Sequence, residues 1–132
     1  MSGADQTRIR RLGPGDEDVI RALAEDEAQT ALLADDRTIF VAAFDGENPV
    51  GFAFGYVLPR RHGRPTIFFV YEVDVDERYR RQGIARRLME ELLFGQEEAF
   101  VLTDARNEAA MALYASLGGT RVDSVMWDFE AP

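Results

Sequence analysis

The sequence predicts an α/β (α+β) domain organised around a mixed sheet, and three observations carry that prediction. Residues Ile67-Phe68-Phe69-Val70-Tyr71 are β-branched or aromatic and lead into Val73 and Val75, the composition of a buried strand. Shortly after it, Ile84/Leu88/Leu92 and Ala85/Met89/Leu93 recur at a spacing of four, the pattern of a helix with one apolar face. Upstream, two apolar runs flank Asp45-Gly46-Glu47-Asn48, a turn composition that joins them as a hairpin.

The remaining elements follow in chain order. Thr7 to Leu12 alternates weakly and reads as a first strand. Pro14 with Asp16, Glu17 and Asp18 marks a helix start, and the helix runs through Val19, Ile20 and Leu23, continuing or restarting through Ala28 to Leu33. Strands are expected at 38–44 and 50–58, a loop at 59–65, and the central strand at 67–75. A helix at 83–94 and a strand at 99–103 come next. Asn107 is a plausible N-cap for a helix at 108–117 that stops at Gly118-Gly119, and Arg121 to Phe129 closes as a last strand. Strands 67–75 and 99–103 should be parallel, joined by a right-handed helical crossover.

Composition narrows the function. A length of 132 residues suits one domain, 1–132. No apolar run approaches a membrane span, and Met1 to Gln6 lack the basic and apolar stretches of a signal peptide, so a cytoplasmic location is expected. There is no cysteine and one histidine, His62, which argues against a metal centre, a Cys nucleophile and a Ser/His/Asp triad. The net charge of −9 argues against nucleic acid as a partner. All fifteen basic residues are arginine. Five of them (78, 80, 81, 86, 87) fall between residues 78 and 89 without an acid, whereas residues 16–36 hold eight acids and only Arg21 as a basic residue.

The arginine-rich island coincides with the strand–turn–helix at Val75 to Ala85. The first turn of a helix has N–H groups without intrahelical partners and partial positive charge, a natural seat for a pyrophosphate. Gly83 lets the backbone approach such a ligand. The spacing Arg80, Gly83, Ala85 resembles the acetyl-CoA-binding signature of the GNAT superfamily of N-acetyltransferases. The resemblance implies the GNAT fold: a mixed sheet of six to seven strands, about four helices, and two central parallel strands that splay apart to admit acetyl-CoA. It implies acetyl-CoA as cosubstrate, no metal, and cofactor contacts from Val73, Val75, Arg80, Arg81, Gln82, Gly83, Ile84, Ala85, Arg86 and Asn107.

Acetyl transfer needs a polarised thioester, a neutral amine and a proton for the departing thiolate. The resemblance places the polarising N–H near Val73 or Val75, where an irregular strand would free it from its ladder partner. For the base, Glu72 comes first: a carboxylate beside apolar strands can have a raised pKa and take a proton directly or through water. Asp74 shares its face by alternation, and Asp104 at the end of the next strand is a third carboxylate. Glu72 could equally orient a cationic acceptor, so Glu72, Asp74 and Asp104 are also the substrate-binding candidates. Asn107 to Gly119 resembles the second GNAT motif, in which an Asn contacts the pantetheine arm and a Tyr seven residues later protonates the coenzyme A sulfur. Tyr114 fills that place, two helical turns from Asn107.

Tyr71-Glu72-Val73-Asp74-Val75, Arg80-Arg81-Gln82-Gly83-Ile84-Ala85, Ala112-Leu113-Tyr114 and Val125-Met126 further resemble the type I aminoglycoside 3-N-acetyltransferases. Three departures stand out: Glu72 and Asn107 each replace an Asp, and the N-terminal part is shorter. The expected activity is therefore acetyl transfer to a small cationic amine, an aminoglycoside among the acceptors considered. The alternatives are a protein or peptide amine as acceptor, a toxin-type enzyme acting on aminoacyl-tRNA, and a non-catalytic acyl-CoA-binding regulatory domain. A homodimer is left open as a partner.

Overall fold

In the computed structural model the described residues are 7–132. Met1 to Gln6, on which the signal-peptide reading rests, lie outside them. The elements are β1 (Thr7–Leu12), α1 (Glu17–Leu23), a 3-10 turn (Thr30–Ala34), β2 (Thr38–Asp45), β3 (Asn48–Pro59), β4 (Thr66–Val75), a 3-10 turn (Glu77–Tyr79), α2 (Ile84–Leu93), β5 (Ala99–Val101) and α3 (Glu108–Ser116). They fall into two compact units, one ending at Leu102 and one spanning Thr103–Pro132.

The first unit is a five-stranded sheet in the order β1-β2-β3-β4-β5. The first three pairings are antiparallel and β4–β5 is parallel, as expected for strands joined by a helical crossover. Side chains directly opposite in an antiparallel pair share a face, so the register sorts the core. Leu12, Phe40, Ala42 and Phe54 lie on one face and bury against Ile20 of α1 and Leu33. Val41, Ala43, Ala53, Phe68 and Val70 serve the other, where the apolar row Ile84, Leu88, Met89 and Leu92 of α2 is also fully buried. Each large side chain so buried contributes about 1.5–3 kcal/mol. Arg87 on α2 donates to the carbonyl of Thr7 at 2.8 Å, tying the helix to β1.

Several expectations change. Residues 28–33 do not form an α-helix: α1 ends at Leu23, and Ala24 turns extended at ψ 137°. Glu25, Asp26 and Glu27 follow, and acids are unfavourable at the negative end of a helix. Among the described residues there are five strands and three α-helices rather than six to seven strands and about four helices. The missing strand is 121–129, which carries no strand pairing. A strand forms only where its N–H and C=O groups find an edge, and the second unit contains no other strand. Val122, Val125, Met126, Trp127 and Phe129 are consequently each more than 75% exposed.

In the second unit, α3 is capped as the sequence predicted. Asn107 Oδ1 accepts from the N–H of Ala110 at 3.1 Å. At the other end Gly118 adopts φ 89°, and the Gly119 N–H returns to the Tyr114 carbonyl at 3.0 Å. No helix among the described residues is long and apolar enough to cross a membrane.

Every ion pair in the described residues draws its cation from arginine, among them Arg10–Asp16 at 3.0 Å, Arg86–Glu90 at 3.4 Å and the contact between Arg60 and Glu98.

Candidate active site

The site begins with an irregularity in β4. Phe54 pairs with Glu72, but the next residue, Gly55, pairs with Val70, so Tyr71 bulges out of the ladder. The sequence reading expected a disruption around Val73 or Val75; it lies just before them. A β-bulge leaves its extra residue unpaired and re-aims the chain beyond it. Here it brings Glu72 and Asp74 onto the face of their partners Phe54 and Phe52. The signal for it was on the neighbouring strand, because a glycine inside a strand often marks close backbone approach. A Cβ at Gly55 would also meet the Phe68 ring at 2.8 Å.

On that face lies a cavity of about 330 Å³. Phe40, Phe52 and Phe54 form its floor, and their rings stack with centroids 5.0 to 6.2 Å apart. Glu72 and Asp74 line one side, and Glu25, Asp26 and Glu27 the chain after α1. Three of the eight acids of residues 16–36 therefore reach the cavity. Others have local roles: Asp16 pairs with Arg10, Asp18 with Arg21, and Asp35 with Arg37.

Glu72 keeps contact with solvent, yet its carboxyl is held above the usual glutamate range. Partial burial is the main cause, and the charges of Asp74 and Glu25 add to it. A raised carboxylate is a better proton acceptor than an ordinary one. Asp74 is already engaged: it accepts from the Val75 N–H at 2.9 Å and from Arg80 at 3.4 Å. Of the two expected thioester donors, Val75 therefore has its N–H turned to a carboxylate, which leaves Val73. β5 pairs with β4 only from Phe68 to Val70. β5 ends at Val101, short of the expected 103, so beyond Val70 β4 has no strand on that side within the first unit.

The turn that follows is braced at several points. Tyr79 donates to Asp45 at 2.6 Å, anchoring it to the β2–β3 hairpin; nothing in the sequence spacing pointed to this pair. Arg80 donates to the Val75 carbonyl at 2.9 Å, and Arg78 pairs with Asp76 at 3.2 Å. Arg81 is exposed, adopts φ 63°, and has no ion-pair or hydrogen-bond partner among the described residues. Gly83 takes φ 80° and precedes Ile84, Ala85 and Arg86 in the first turn of α2. That turn has no side-chain cap and no acidic residue. A Cβ at Gly83 would meet no atom of the protein within 4 Å. Gln82 Oε1 is buried without a partner, an acceptor that a donor from a bound molecule would satisfy. A left-handed glycine, an uncommitted arginine and an uncapped helix start fit a pyrophosphate.

In the second unit, Asn107 spends Oδ1 on its cap and keeps its amide N–H₂ for other contacts. Burial raises the Tyr114 hydroxyl pKa above that of an ordinary tyrosine, which is itself protonated at neutral pH. Asp104 is held by the Arg106 side chain at 2.8 and 3.1 Å and by its backbone N–H. These bonds lower its pKa and pair it locally.

A family model described as the acetyltransferase (GNAT) family matches residues 8–118. The N-alpha-acetyltransferase RimI of Mycobacterium tuberculosis is 38% identical over 94 residues, covering 68% of this chain and 57% of that protein. The match thus spans less than two thirds of the relative's length. An aminoglycoside acetyltransferase structure from an uncultured soil metagenomic sample superposes with a TM-score of 0.82 at 25% identity, covering 100% of both chains. A second such enzyme, solved with trehalose, gives 0.81 at 22% identity over 97% of each chain. The second likeness is one of fold.

Proposed function

This chain belongs to the acetyltransferase (GNAT) family, and from that premise we propose that it transfers the acetyl group of acetyl-CoA to a primary amine of a small cationic acceptor. The observation that carries the proposal is the bulge at Tyr71, which sets Glu72 into an acidic cavity on an aromatic floor. Arg81, Gly83 and the first turn of α2 hold the pyrophosphate, with Arg80 bracing the turn from β4. Glu72 takes the proton of the attacking amine, directly or through water. The amine nitrogen attacks the thioester carbonyl carbon by direct transfer, and the Val73 N–H stabilises the charge that develops on its oxygen. As the carbon–sulfur bond breaks, Tyr114 gives its proton to the thiolate, and Asn107 contacts the pantetheine arm.

Aminoglycosides are the first acceptor class to test, since the chain shares 25% identity over its full length with an aminoglycoside acetyltransferase. A peptide α-amine is the second reading, favoured by the 38% identity with an N-alpha-acetyltransferase. We place the chain in the cytoplasm, and the exposed apolar segment 122–129 supports association of two copies. Thiol release from acetyl-CoA over a panel of amines tests the activity. Cationic amines should be acetylated; release with none of them, while acetyl-CoA binds, would overturn the cationic-acceptor reading.

A further inference from the structure

The aromatic floor of the cavity does not end where α1 covers it. Phe54 contacts Tyr71 at 5.5 Å between ring centroids, Tyr71 contacts Phe69 at 5.8 Å, and Phe69 stacks on Phe100 at 4.7 Å and 4°. Tyr56 borders the row, 5.7 Å from Tyr71. The register puts these rings on one face of β3, β4 and β5. Their burial changes along the row. Phe40 and Phe54 are 4% and 7% exposed under α1 and the 3-10 turn, whereas Phe100 is 39% and Tyr71 59% exposed. Rings that serve only a core are covered; here Tyr71 and Phe100 are exposed and Phe69 between them is half-buried, an apolar strip open to a contact.

The row also has a polarity. Glu72 adjoins Tyr71 because the bulge turns both residues out of regular alternation. Asp74 and Glu25 lie beyond Glu72 in the cavity. Carboxylates therefore stand at one end of the row and rings without charge at the other. Resting on the acceptor reading given above, we propose that Tyr71, Phe69 and Phe100 form a subsite for the apolar, planar body of the acceptor, whose amine sits at Glu72. The acceptor class is a primary amine borne a few bonds from an aromatic ring, either a free arylalkylamine or the α-amine of a peptide that begins with an aromatic residue. A polyamine or a fully hydroxylated body would occupy the carboxylate end and gain little from the rings. Offset or edge-on ring contacts are favourable beyond the area they bury, by about three- to tenfold in affinity each.

The test compares amines of equal charge with acetyl-CoA in the wild-type protein: phenethylamine against ethanolamine, and phenylalaninamide against glycinamide. In each pair the ring-bearing amine should have the higher kcat/KM by about tenfold or more. Phe100→Ser should collapse that ratio toward one, and Phe100→Tyr should restore it. Preference for phenethylamine alone would assign free arylalkylamines; preference for phenylalaninamide alone would assign peptide α-amines. Equal kcat/KM within both pairs, with turnover intact, overturns the subsite and leaves the acetyltransferase reading in place. A direct measurement separates the two claims. Phenethylamine titrated into the wild-type protein without acetyl-CoA should shift the ring NMR signals of Tyr71, Phe69 and Phe100. Shifts without any turnover would uphold the subsite against the proposed activity, and signals unmoved at saturating amine would reject the subsite whatever the activity.

Discussion

A Cβ built on Gly55 would lie 2.1 Å from the carbonyl oxygen of Phe69. No side-chain rotation relieves that contact, because the atom struck is backbone. Gly55→Ala should therefore force β3 and β4 apart at the bulge, at a cost of about 1–3 kcal/mol. Denaturant midpoints measure the loss. In the surviving folded protein, kcat should fall more than acetyl-CoA affinity, since the bulge aims Glu72 and not the pyrophosphate turn.

Gly83→Val should weaken acetyl-CoA binding in a calorimetric titration. A Cβ there meets no surrounding protein atom, so the effect should come from the space a phosphate would occupy and from strain at φ 80°. Gly95→Val at the far end of α2, at φ 81° and equally open, introduces comparable strain without touching the ligand. Equal losses in the two variants would count against the phosphate site.

Tyr114→Phe removes one hydroxyl and keeps the ring. Turnover should fall by about 10²- to 10⁴-fold with little change in KM for acetyl-CoA. Steady-state kinetics with any active acceptor decides it, and an unchanged kcat would remove Tyr114 from the chemistry.

Glu72 links stability to pH. Its carboxyl titrates higher in the fold than in the unfolded chain. Well below the ordinary glutamate range both states are protonated and nothing is lost. As pH rises from that range through the raised value, the unfolded chain ionises first and stability declines. Urea midpoints from about pH 4 to about pH 8 should show part of the wild-type decline absent in Glu72→Gln. The same variant should flatten the rise of kcat/KM with pH and slow the reaction.

Acceptor KM should rise with ionic strength, because Glu72, Asp74 and the acids at 25–27 attract a cation across partly solvated space that salt screens. Initial rates at fixed acetyl-CoA measure this. A salt-independent KM would mean that the carboxylates do not read the acceptor's charge.

What the sequence made legible was local. Apolar rows such as Ile84/Leu88/Leu92 and the run from Ile67 to Val75 identify α2 and β4 because burial imposes its period on the residues themselves. Asn107 is legible as a cap for the same reason: its partner is three residues away. The bulge left only the in-strand glycine as a sign, since it depends on Gly55 meeting Phe69 across a strand pair. Tyr79 with Asp45 is likewise a pairing that spacing cannot show. Segment 121–129 has the composition of a strand, but pairing requires an edge, which composition does not contain. Asp104 reads as a free carboxylate until Arg106 is seen to close on it.

The uniform use of arginine in the ion pairs would have a chemical consequence if the chain handles an acyl donor as proposed. A lysine amine is itself an acetyl acceptor once it loses its proton, whereas a guanidinium stays charged under the same conditions. Arg80 on Asp74, beside the proposed acceptor carboxylates, would thus not be acylated. With no lysine anywhere in the chain, no lysine amine is present for self-modification, and the ion pairs around the site would be inert to the proposed acetyl transfer.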